Sequence, residues 1–427
     1  MAMPRETTPL IGKPGHARSL YDRVADWVVS YPATSVVLGV LGLLAATTAI
    51  VVPVEWSELE TGTPPVCSKG GITAVLGPGT EAQRLFVFSG NTKHGQLLSE
   101  SKTFGVDDGV WRRPSIVGDA EFGEPSPRWK AVAVSSASGS EVVLFGGETK
   151  TRYASDLWVL DASEGDSRWS FVQLAENATV PVARKAAAAA RLGDQMLVYG
   201  GKHCHATEEG TMGGCRDLSD LWSLNLTDLR DGWTKVWEAG GDAGSGPSPR
   251  HGHTATVARL EGKGGALEEY LVIFAGRTDS VGYYNDVWAW SPSRGAWFDW
   301  TPDYDHTAEV SVPAKRDHHH ACSSADGSKM ILYGGRGDPS DEEHQHSHST
   351  VLGDLWELDY SGRRWREVVS GGRKPRPRYL ADFAESGGAF YIFGGDTSVE
   401  PGGRVNDLWR LNTTTYEFEE LRRGYVC

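Results

Sequence analysis

Three histidines that alternate with other residues, His344, His346 and His348, lie in an acidic stretch together with Asp338 and Glu342. In an extended loop, this alternation puts the three imidazoles on one side. Imidazole and carboxylate groups together are ligands for zinc, iron or copper. The stretch therefore predicts a metal site. Two other interpretations stay open: a solvated loop, and a pH sensor, because clustered histidines gain charge between about pH 5 and 7.

Five arginines recur at one position of a repeated pattern, 16 to 25 residues before a glycine pair or its Ala-Gly variant. They are Arg128, Arg184, Arg250, Arg316 and Arg378. A guanidinium group binds carboxylate or phosphate through two parallel hydrogen bonds. In a chain with a formal net charge of -14, these arginines predict a positive ring that binds an acidic protein segment or a glycan. The alternative is structural, since a residue repeated in every unit often serves the scaffold.

These arginines belong to a repeat that occurs five times, after a sixth, degenerate copy. Each unit has a strand that ends in a glycine pair, as in "MILYGGRGD", and a strand that begins with Asp-Leu-Trp, as in "GDLWELD". A second aromatic residue follows: Trp169, Trp233, Trp297, Trp365 and Tyr416, with Trp111 in the first copy. The glycine pair predicts a sharp turn with positive φ. Short strands with period two and no helical period predict sheets that stack around a ring.

The order of glycine pair, Asp-Leu-Trp and second aromatic residue resembles the kelch repeat, as in the central domain of galactose oxidase, from about Gly71 to Cys427. The resemblance implies an all-β fold, a six-bladed β-propeller whose loop-bearing face binds partners. Blade one departs from the pattern because it lacks the arginine and Asp-Leu-Trp, and blade four has Ala275-Gly276 in place of two glycines. Antiparallel blades put the five arginines and the long loops of blades three and five on this face.

A second resemblance concerns iron. Nitrile-specifier kelch proteins bind iron through Glu-x3-Asp-x3-His, and Asp338-x3-Glu342-x3-His346 is similar to that motif with the two acids exchanged. It implies a metal-dependent enzyme of lyase, isomerase or oxidase type, with Fe, Zn or Cu at blade five. No Walker loop, serine nucleophile elbow or HExxH motif is present. A binding module without a cofactor is therefore the main expectation, and the enzyme is the alternative.

The N-terminal region predicts a membrane anchor. Residues 35–54 carry no charge and are long enough to span a bilayer as a helix. About thirty residues precede them, which favours an uncleaved signal anchor over a cleaved signal peptide. We expect a cytoplasmic tail with a short amphipathic segment at 1–34, a transmembrane helix at 35–54, a linker at 55–70 and the propeller at 71–427. Bases precede the span and acids follow it, which favours a cytoplasmic N-terminus.

Glycosylation signals and cysteines favour a lumenal or extracellular propeller. Three sequons begin at Asn177, Asn225 and Asn412, and all five cysteines lie in the same part of the chain. The expected disulfides are Cys204–Cys215, in the blade-three loop, and Cys67–Cys427, across the ring closure, with Cys322 reduced and buried. A metal site at Cys204, His205 and Cys215 and an intermolecular bond through Cys427 stay open. The sequence thus predicts a single-pass type II membrane protein of the secretory system or cell surface. Its acidity argues against nucleic acid as a partner.

Overall fold

The computed structural model describes residues 62, 64–77, 83–163, 166–207, 212–240, 245–262, 265–302, 311–337, 350–398 and 403–426. The expected tail, the membrane span at 35–54 and half of the linker lie outside the described residues. Within the described part, no helix has the length and apolar character needed to cross a membrane. The N-terminal transmembrane helix therefore stays a prediction.

The described residues form six antiparallel blades in chain order, each made of its own strands. Blade one contains β1 (Ile72–Leu76), β2 (Arg84–Phe88), β3 (Ser101–Gly105) and β4 (Trp111–Arg112). Blade two contains β5 (Ile116–Val117), β6 (Val132–Ser135), β7 (Glu141–Phe145), β8 (Leu157–Asp161) and β9 (Ser167–Phe171), with β5 parallel to β9. Blade three contains β10 (Ala188–Leu192), β11 (Gln195–Tyr199), the hairpin β12 (Lys202–Ala206) and β13 (Met212–Asp217), β14 (Leu221–Asn225), the 3-10 helix Leu229–Asp231 and β15 (Trp233–Trp237).

Blades four to six repeat this arrangement. Blade four contains β16 (Thr254–Glu261), β17 (Leu267–Phe274), the hairpin β18 (Arg277–Thr278) and β19 (Gly282–Tyr283), β20 (Val287–Ser291) and β21 (Ala296–Asp299). Blade five contains β22 (Arg316–Asp317), β23 (His320–Ser323), β24 (Lys329–Gly337), β25 (Thr350–Asp359) and β26 (Arg364–Glu367). Blade six contains β27 (Asp382–Ser386), β28 (Ala389–Phe393), β29 (Leu408–Asn412) and β30 (Phe418–Arg422). The prediction of an all-β, six-bladed propeller is confirmed.

The hydrophobic core consists of six layers, one between each pair of neighbouring blades. In each layer, the second aromatic residue of one blade packs against a ring from the second strand of the preceding blade. The pairs are Trp169–Phe86, Trp233–Phe145, Trp297–Tyr199, Trp365–Phe274, Phe418–Tyr333 and Trp111–Phe393, with ring centroids 4.7 to 6.2 Å apart. The pair of Trp111 with Phe393 joins blade one to blade six and closes the ring.

Blade six corrects one expectation from the sequence. Phe418, not Tyr416, fills the position of the second aromatic residue, because it pairs across the sheet with Leu411 as Trp365 pairs with Leu358. Tyr416 lies in the preceding turn with φ 59°, and its hydroxyl contacts Glu357 of blade five. Spacing alone did not separate two aromatic residues only two positions apart.

The glycine pair ends the second strand of a blade with two residues of positive φ, as predicted. The first position tolerates a small side chain, since Ala275 in blade four has φ 57° and Ser89 in blade one has φ 68°. The second position does not, because a Cβ on Gly276 would lie 2.8 Å from the Cβ of His253. Neighbouring backbone therefore comes close to this glycine, and the next chain segment turns onto the loop-bearing face.

A closed belt of six backbone hydrogen bonds encircles the channel, with one residue from each blade. Its members are Gly70, Lys130, Ala186, Gly252, His318 and Leu380, all with φ between 49° and 67°. Each N–H donates to the carbonyl of the member in the preceding blade, at 2.7 to 3.1 Å, and Gly70 donates to Leu380. We call this set the hydrogen-bond belt. It shows that all six blades meet at one level around the channel.

The two ends of the propeller sequence meet at blade six. Asn406 Nδ2 donates to the carbonyl of Pro65 at 3.0 Å, and Lys69 Nζ lies 2.9 Å from Asp396 Oδ2. No strand is exchanged between blades in the described residues. Cys67 is disulfide-bonded and its expected partner, Cys427, lies outside the described residues. The Cys67–Cys427 pairing therefore stays a prediction.

Candidate binding face at the channel mouth

The five repeated arginines are buried inside the blades, with at most 1% of each residue exposed. Each guanidinium holds the aspartate of the Asp-Leu-Trp motif through two parallel hydrogen bonds. The pairs are Arg128–Asp156, Arg184–Asp220, Arg250–Asp286, Arg316–Asp354 and Arg378–Asp407, with N–O distances of 2.6 to 2.9 Å. This corrects the expectation of a ligand-binding arginine ring: the guanidinium groups are already occupied and out of reach of a ligand. The structural alternative describes them.

The arginine of blade five illustrates the full arrangement. Arg316 Nη1 also donates to the carbonyl of Gly334, and its Nε donates to the carbonyl of Ala314. The indole N–H of Trp356 donates to the same carboxylate at 2.7 Å. Burial disfavours ionisation of Asp354, but the hydrogen bonds and charge of Arg316 hold the pKa of this carboxyl below its usual value. One arginine thus ties together the glycine turn, the third strand and the segment that enters the blade.

The residues directly after the arginines, rather than the arginines themselves, face the loop-bearing end of the channel. The inner ring consists of Lys69, Trp129, Lys185, His251, Asp317 and Tyr379, where Lys69 is the blade-one equivalent. Each bridges to one loop residue, and these form an outer ring of Asn91, Glu148, Lys202, Arg277, Arg336 and Asp396. With the hydrogen-bond belt, these two rings define the mouth. Side chains alternate between the two sides of an extended chain, so a buried arginine places its neighbour at the mouth.

Ion pairs connect the mouth residues across neighbouring blades. Arg336 Nη2 lies 2.8 Å from Asp317 Oδ2, and Arg277 lies 3.8 Å from the same carboxylate. Lys185 contacts Glu148, and His251 Nδ1 lies 2.6 Å from Asp217 of the blade-three hairpin. Asp279 of the blade-four hairpin contacts both Lys202 and Arg277. The mouth is therefore a preorganised layer of charged side chains.

The described mouth residues carry more cations than carboxylates. The cations are Lys69, Lys130, Lys185, Lys202, Arg277 and Arg336, and the carboxylates are Asp317, Glu148 and Asp396, with Asp217 and Asp279 added by the hairpins. Five of these cations have a carboxylate within 4 Å. Lys130 has none among the described residues, and its ammonium group lies 4.5 Å from the centre of the Trp129 indole. An unpaired cation therefore remains at the mouth of an acidic protein.

The environment of Lys130 disfavours its charge. Burial of the ammonium group and the positive charges of Lys185 and Arg336 lower the pKa of Lys130 to about 7, although Asp317 and Glu148 oppose this shift. Lys130 is half-buried, and the surrounding side chains desolvate its ammonium group. Lys130 thus exchanges its proton near neutral pH.

A cavity of about 200 Å³ lies below the mouth and is lined by Lys130, His318, His320 and Asp382, among others. His318 Nδ1 lies 2.9 Å from Asp317 Oδ2, at an angle unfavourable for a hydrogen bond. Both nitrogens of His320 lack a hydrogen-bond partner among the described residues. Burial lowers the pKa of His318 and of His320 to about 3, and the charge of Lys130 contributes at His318. Burial raises the pKa of Asp382 well above its usual value. At pH 7 the two histidines are therefore neutral, and burial favours the neutral form of Asp382.

The expected metal ligands Asp338, Glu342, His344, His346 and His348 lie outside the described residues. Among the residues that are described, no cluster of three or more His, Cys, Asp or Glu side chains could hold a metal ion. Cys204 and Cys215 form a disulfide that links β12 to β13, so these sulfurs are not metal ligands here. Cys322 is a buried free thiol on the inner strand of blade five, and burial raises its pKa well above the usual value.

Two of the three sequon asparagines lie at the end of the propeller opposite the mouth. Asn225 and Asn412 end the third strands of blades three and six, at the opposite end of the propeller. Asn177 lies on the connection from blade two to blade three. Asn177 and Asn412 are exposed, and Asn225 is half-buried, with its side-chain oxygen accepting from Thr227.

Comparison with known proteins agrees with this geometry. Residues 51–263 and 265–425 match the model of the KLHDC2/KLHL20/DRC7 Kelch-repeats domain. The chain belongs to the kelch-repeat family. This kelch chain is 24% identical over 359 residues to leucine-zipper-like transcriptional regulator 1 homolog of Drosophila melanogaster. The matched region covers 80% of the chain and 31% of that protein. It is 27% identical over 212 residues to human Kelch domain-containing protein 3, which covers 49% of the chain and 47% of that protein.

Human host cell factor 2 is 24% identical over 383 residues, covering 84% of the chain and 44% of that protein. The chain thus spans less than half the length of each of these relatives. At this level of identity the comparisons support the repeat and its blades.

Proposed function

We propose that the propeller is a protein-binding module whose mouth holds an acidic segment of a partner protein. The observation that carries this proposal is the set of cations at the mouth, in which Lys130 has no carboxylate partner among the described residues. A carboxylate that enters the mouth would offset the repulsion that Lys130 receives from Lys185 and Arg336. The rings of Trp129 and Tyr379 add apolar surface beside these charges. A glycan, the other partner class predicted from the sequence, has less support because the cations favour a charged ligand.

The proposal is tested by calorimetric titration of the propeller with a peptide of glutamates and a matched peptide of glutamines. We expect binding of the glutamate peptide only, weakened by added salt because the charges are partly exposed. Lys130→Ala and Lys202→Ala should each weaken binding by about tenfold, on the order of 1.4 kcal/mol.

Lys235→Ala is the matched control, because it removes the same charge from the outer strand of blade three. An equal loss of affinity in the Lys235→Ala variant would show that binding depends on the net charge of the protein and not on the mouth. Equal affinity for the two peptides would contradict recognition of acidic groups.

We further propose that the propeller is lumenal or extracellular and anchored through residues 35–54. The apolar run of the sequence, the three sequons and the Cys204–Cys215 disulfide support this placement, since disulfides persist in oxidising compartments. A metal-dependent activity at blade five is the competing proposal. Metal analysis of the purified protein tests it: stoichiometric iron, zinc or copper would favour the enzyme, and a metal-free protein with full peptide binding would favour the binding module.

A further inference from the structure

Two belt residues with long titratable side chains come from opposite blades. Lys130 belongs to blade two and His318 to blade five, and the belt member that precedes each of them is a glycine. A Cβ on Gly70 would lie 3.3 Å from Lys130 Cγ, and a Cβ on Gly252 would lie 2.9 Å from His318 Cε1. The two glycines thus leave space at the mouth that these side chains use.

Lys130 differs from the other cations of the mouth by its surroundings. Each of the others has a carboxylate within 4 Å, whereas Lys130 shares the Trp129 ring with a second ammonium group, that of Lys185, at 5.4 Å. Five charged or titratable groups surround it: Lys185, Arg336, Asp317, Glu148 and His318. A desolvated amine beside other cations is the environment that activates lysine as a nucleophile.

His318 supplies a neutral base on the other side of the mouth. It is 9% exposed, and its Nε2 has no hydrogen-bond partner among the described residues. Its Nδ1 faces Asp317 Oδ2 at 2.9 Å, which biases the proton of the imidazole toward Nδ1 and leaves Nε2 free to accept one. Lys130 and His318 both line the 200 Å³ cavity, and the charge of Lys130 acts on the His318 imidazole.

We propose that Lys130 is a carbonyl-reactive amine that forms a Schiff base with a small anionic aldehyde in this cavity. The lone pair of the neutral Nζ attacks the carbonyl carbon, and the carbonyl electron pair moves to oxygen. His318 Nε2 relays both protons of the nitrogen to this oxygen in turn: the first gives the carbinolamine hydroxyl group, and the second lets that group leave as water as the C=N bond forms. One amine and one aldehyde thus give one imine and one water, without an oxidant or a reductant. The Schiff base forms on the lysine that the proposed partner binding also uses, but it needs no partner protein.

The test uses the wild-type protein and glyoxylate, a small anionic aldehyde, with cyanoborohydride to trap the imine. After incubation at pH 7 and proteolysis, mass spectrometry measures the adduct at every lysine. At pH 7, about half of the Lys130 side chains are neutral, against roughly 3 in 10⁴ for an ordinary lysine. We expect trapping at Lys130 on the order of 100-fold faster than at the exposed Lys93 and Lys374, because a less basic amine is also a weaker nucleophile.

The pH profile and two variants complete the experiment. The rate at Lys130 should rise with a midpoint near its own pKa of about 7, and its advantage over Lys93 should shrink as the pH approaches 10. Lys130→Arg should remove the fast site. His318→Gln should slow trapping several-fold at Lys130 and leave Lys93 unchanged. Equal rates at Lys130 and Lys93 in the wild-type protein at pH 7, or a midpoint near 10, would overturn the proposal.

Discussion

At the scale of single residues, each buried blade arginine neutralises a carboxylate and satisfies two backbone carbonyls. Such a buried pair contributes little compared with an apolar pair of the same shape, but the loss of one partner leaves an uncompensated charge. The aspartate is therefore as important to the blade as the arginine. The pair fixes the segment that leads to the mouth, and the mouth residues follow directly after it.

Arg316→Ala should destabilise the propeller by about 3 kcal/mol, because Asp354, whose side chain is only 24% exposed, then loses its partner. Arg366→Ala is the control, since Arg366 pairs with Glu357 but is 58% exposed. Its cost should be below about 1 kcal/mol. Denaturant unfolding measures both. If Arg316→Ala had an unchanged denaturant midpoint but no longer bound the glutamate peptide, the arginines would be ligand-binding residues and not structural ones.

The buried histidines make stability depend on pH. His318 and His320 have a pKa of about 3 in the folded protein, well below that of an exposed histidine, about 6.5. The unfolded chain therefore binds more protons below about pH 6.5, and stability falls as the pH falls from there toward about 3. Each histidine contributes about 1.4 kcal/mol per pH unit. Melting temperatures from pH 7 to 5 should fall less steeply for His320→Gln than for the wild type, and parallel curves would contradict this account.

The sequence predicted the arginine positions but left their role open. The repeat fixes the place of a residue within a blade, whereas the choice between a ligand and an internal partner depends on which groups lie opposite. One sequence signal was available, because each of the five arginines is matched by one aspartate of an Asp-Leu-Trp or Asp-Val-Trp motif. Equal numbers of repeated arginines and repeated aspartates indicate that each arginine pairs with an aspartate. The role of Lys130 had no such signal, since its low pKa arises from burial and from the charges of neighbours on blades three and five.

At the scale of the structural element, the glycine pair is a turn with two unequal positions. The first accepts alanine or serine, and the second combines a φ above 90° with a close neighbouring backbone. The sequence predicted the positive φ. It did not predict the unequal tolerance, because the close approach comes from the segment that leads into the first strand of the same blade.

Blade four offers a matched test of this inequality. Gly276→Ala should cost about 2 to 4 kcal/mol, since the new methyl group meets His253 and the backbone at φ 92° disfavours a side chain. Ala275→Gly should change stability by less than about 1 kcal/mol, because the loss of a buried methyl group offsets the relief of its own φ of 57°. Unfolding by urea compares the two variants, and equal losses would refute the assigned roles.

At the scale of the whole molecule, closure is shared between side chains and backbone. The Trp111–Phe393 contact, the belt hydrogen bond from Gly70 to Leu380 and the Lys69–Asp396 pair all join blade one to blade six. The sequence predicted six complete blades and therefore a closure without strand exchange. The belt could not be predicted, because it depends on six backbone conformations that glycine, alanine, lysine, histidine and leucine adopt alike.

Topology is testable on the intact chain. Asn177 and Asn412 are exposed, and two of the three sequons lie at the end opposite the mouth. In a glycosylating host, glycosidase should therefore lower the mass of the full-length protein and leave binding of the glutamate peptide unchanged. Asn412→Gln should abolish one of the mass steps. An unchanged mass, with a propeller that protease reaches from the cytosol, would overturn the lumenal placement.

The hydrogen-bond belt has a consequence for how the molecule opens. A helix exposes unpaired amides and carbonyls at its ends and a sheet exposes them at its edges, so both begin to unravel there. In the belt, each of the six residues donates its N–H to one neighbour and accepts with its carbonyl from the other, so the hydrogen bonds form a closed circuit. Such a circuit has no terminus from which to fray. Opening must therefore start by breaking a hydrogen bond whose neighbours are both still formed. Amide hydrogen exchange at the six belt positions should then report one shared opening event instead of six separate ones.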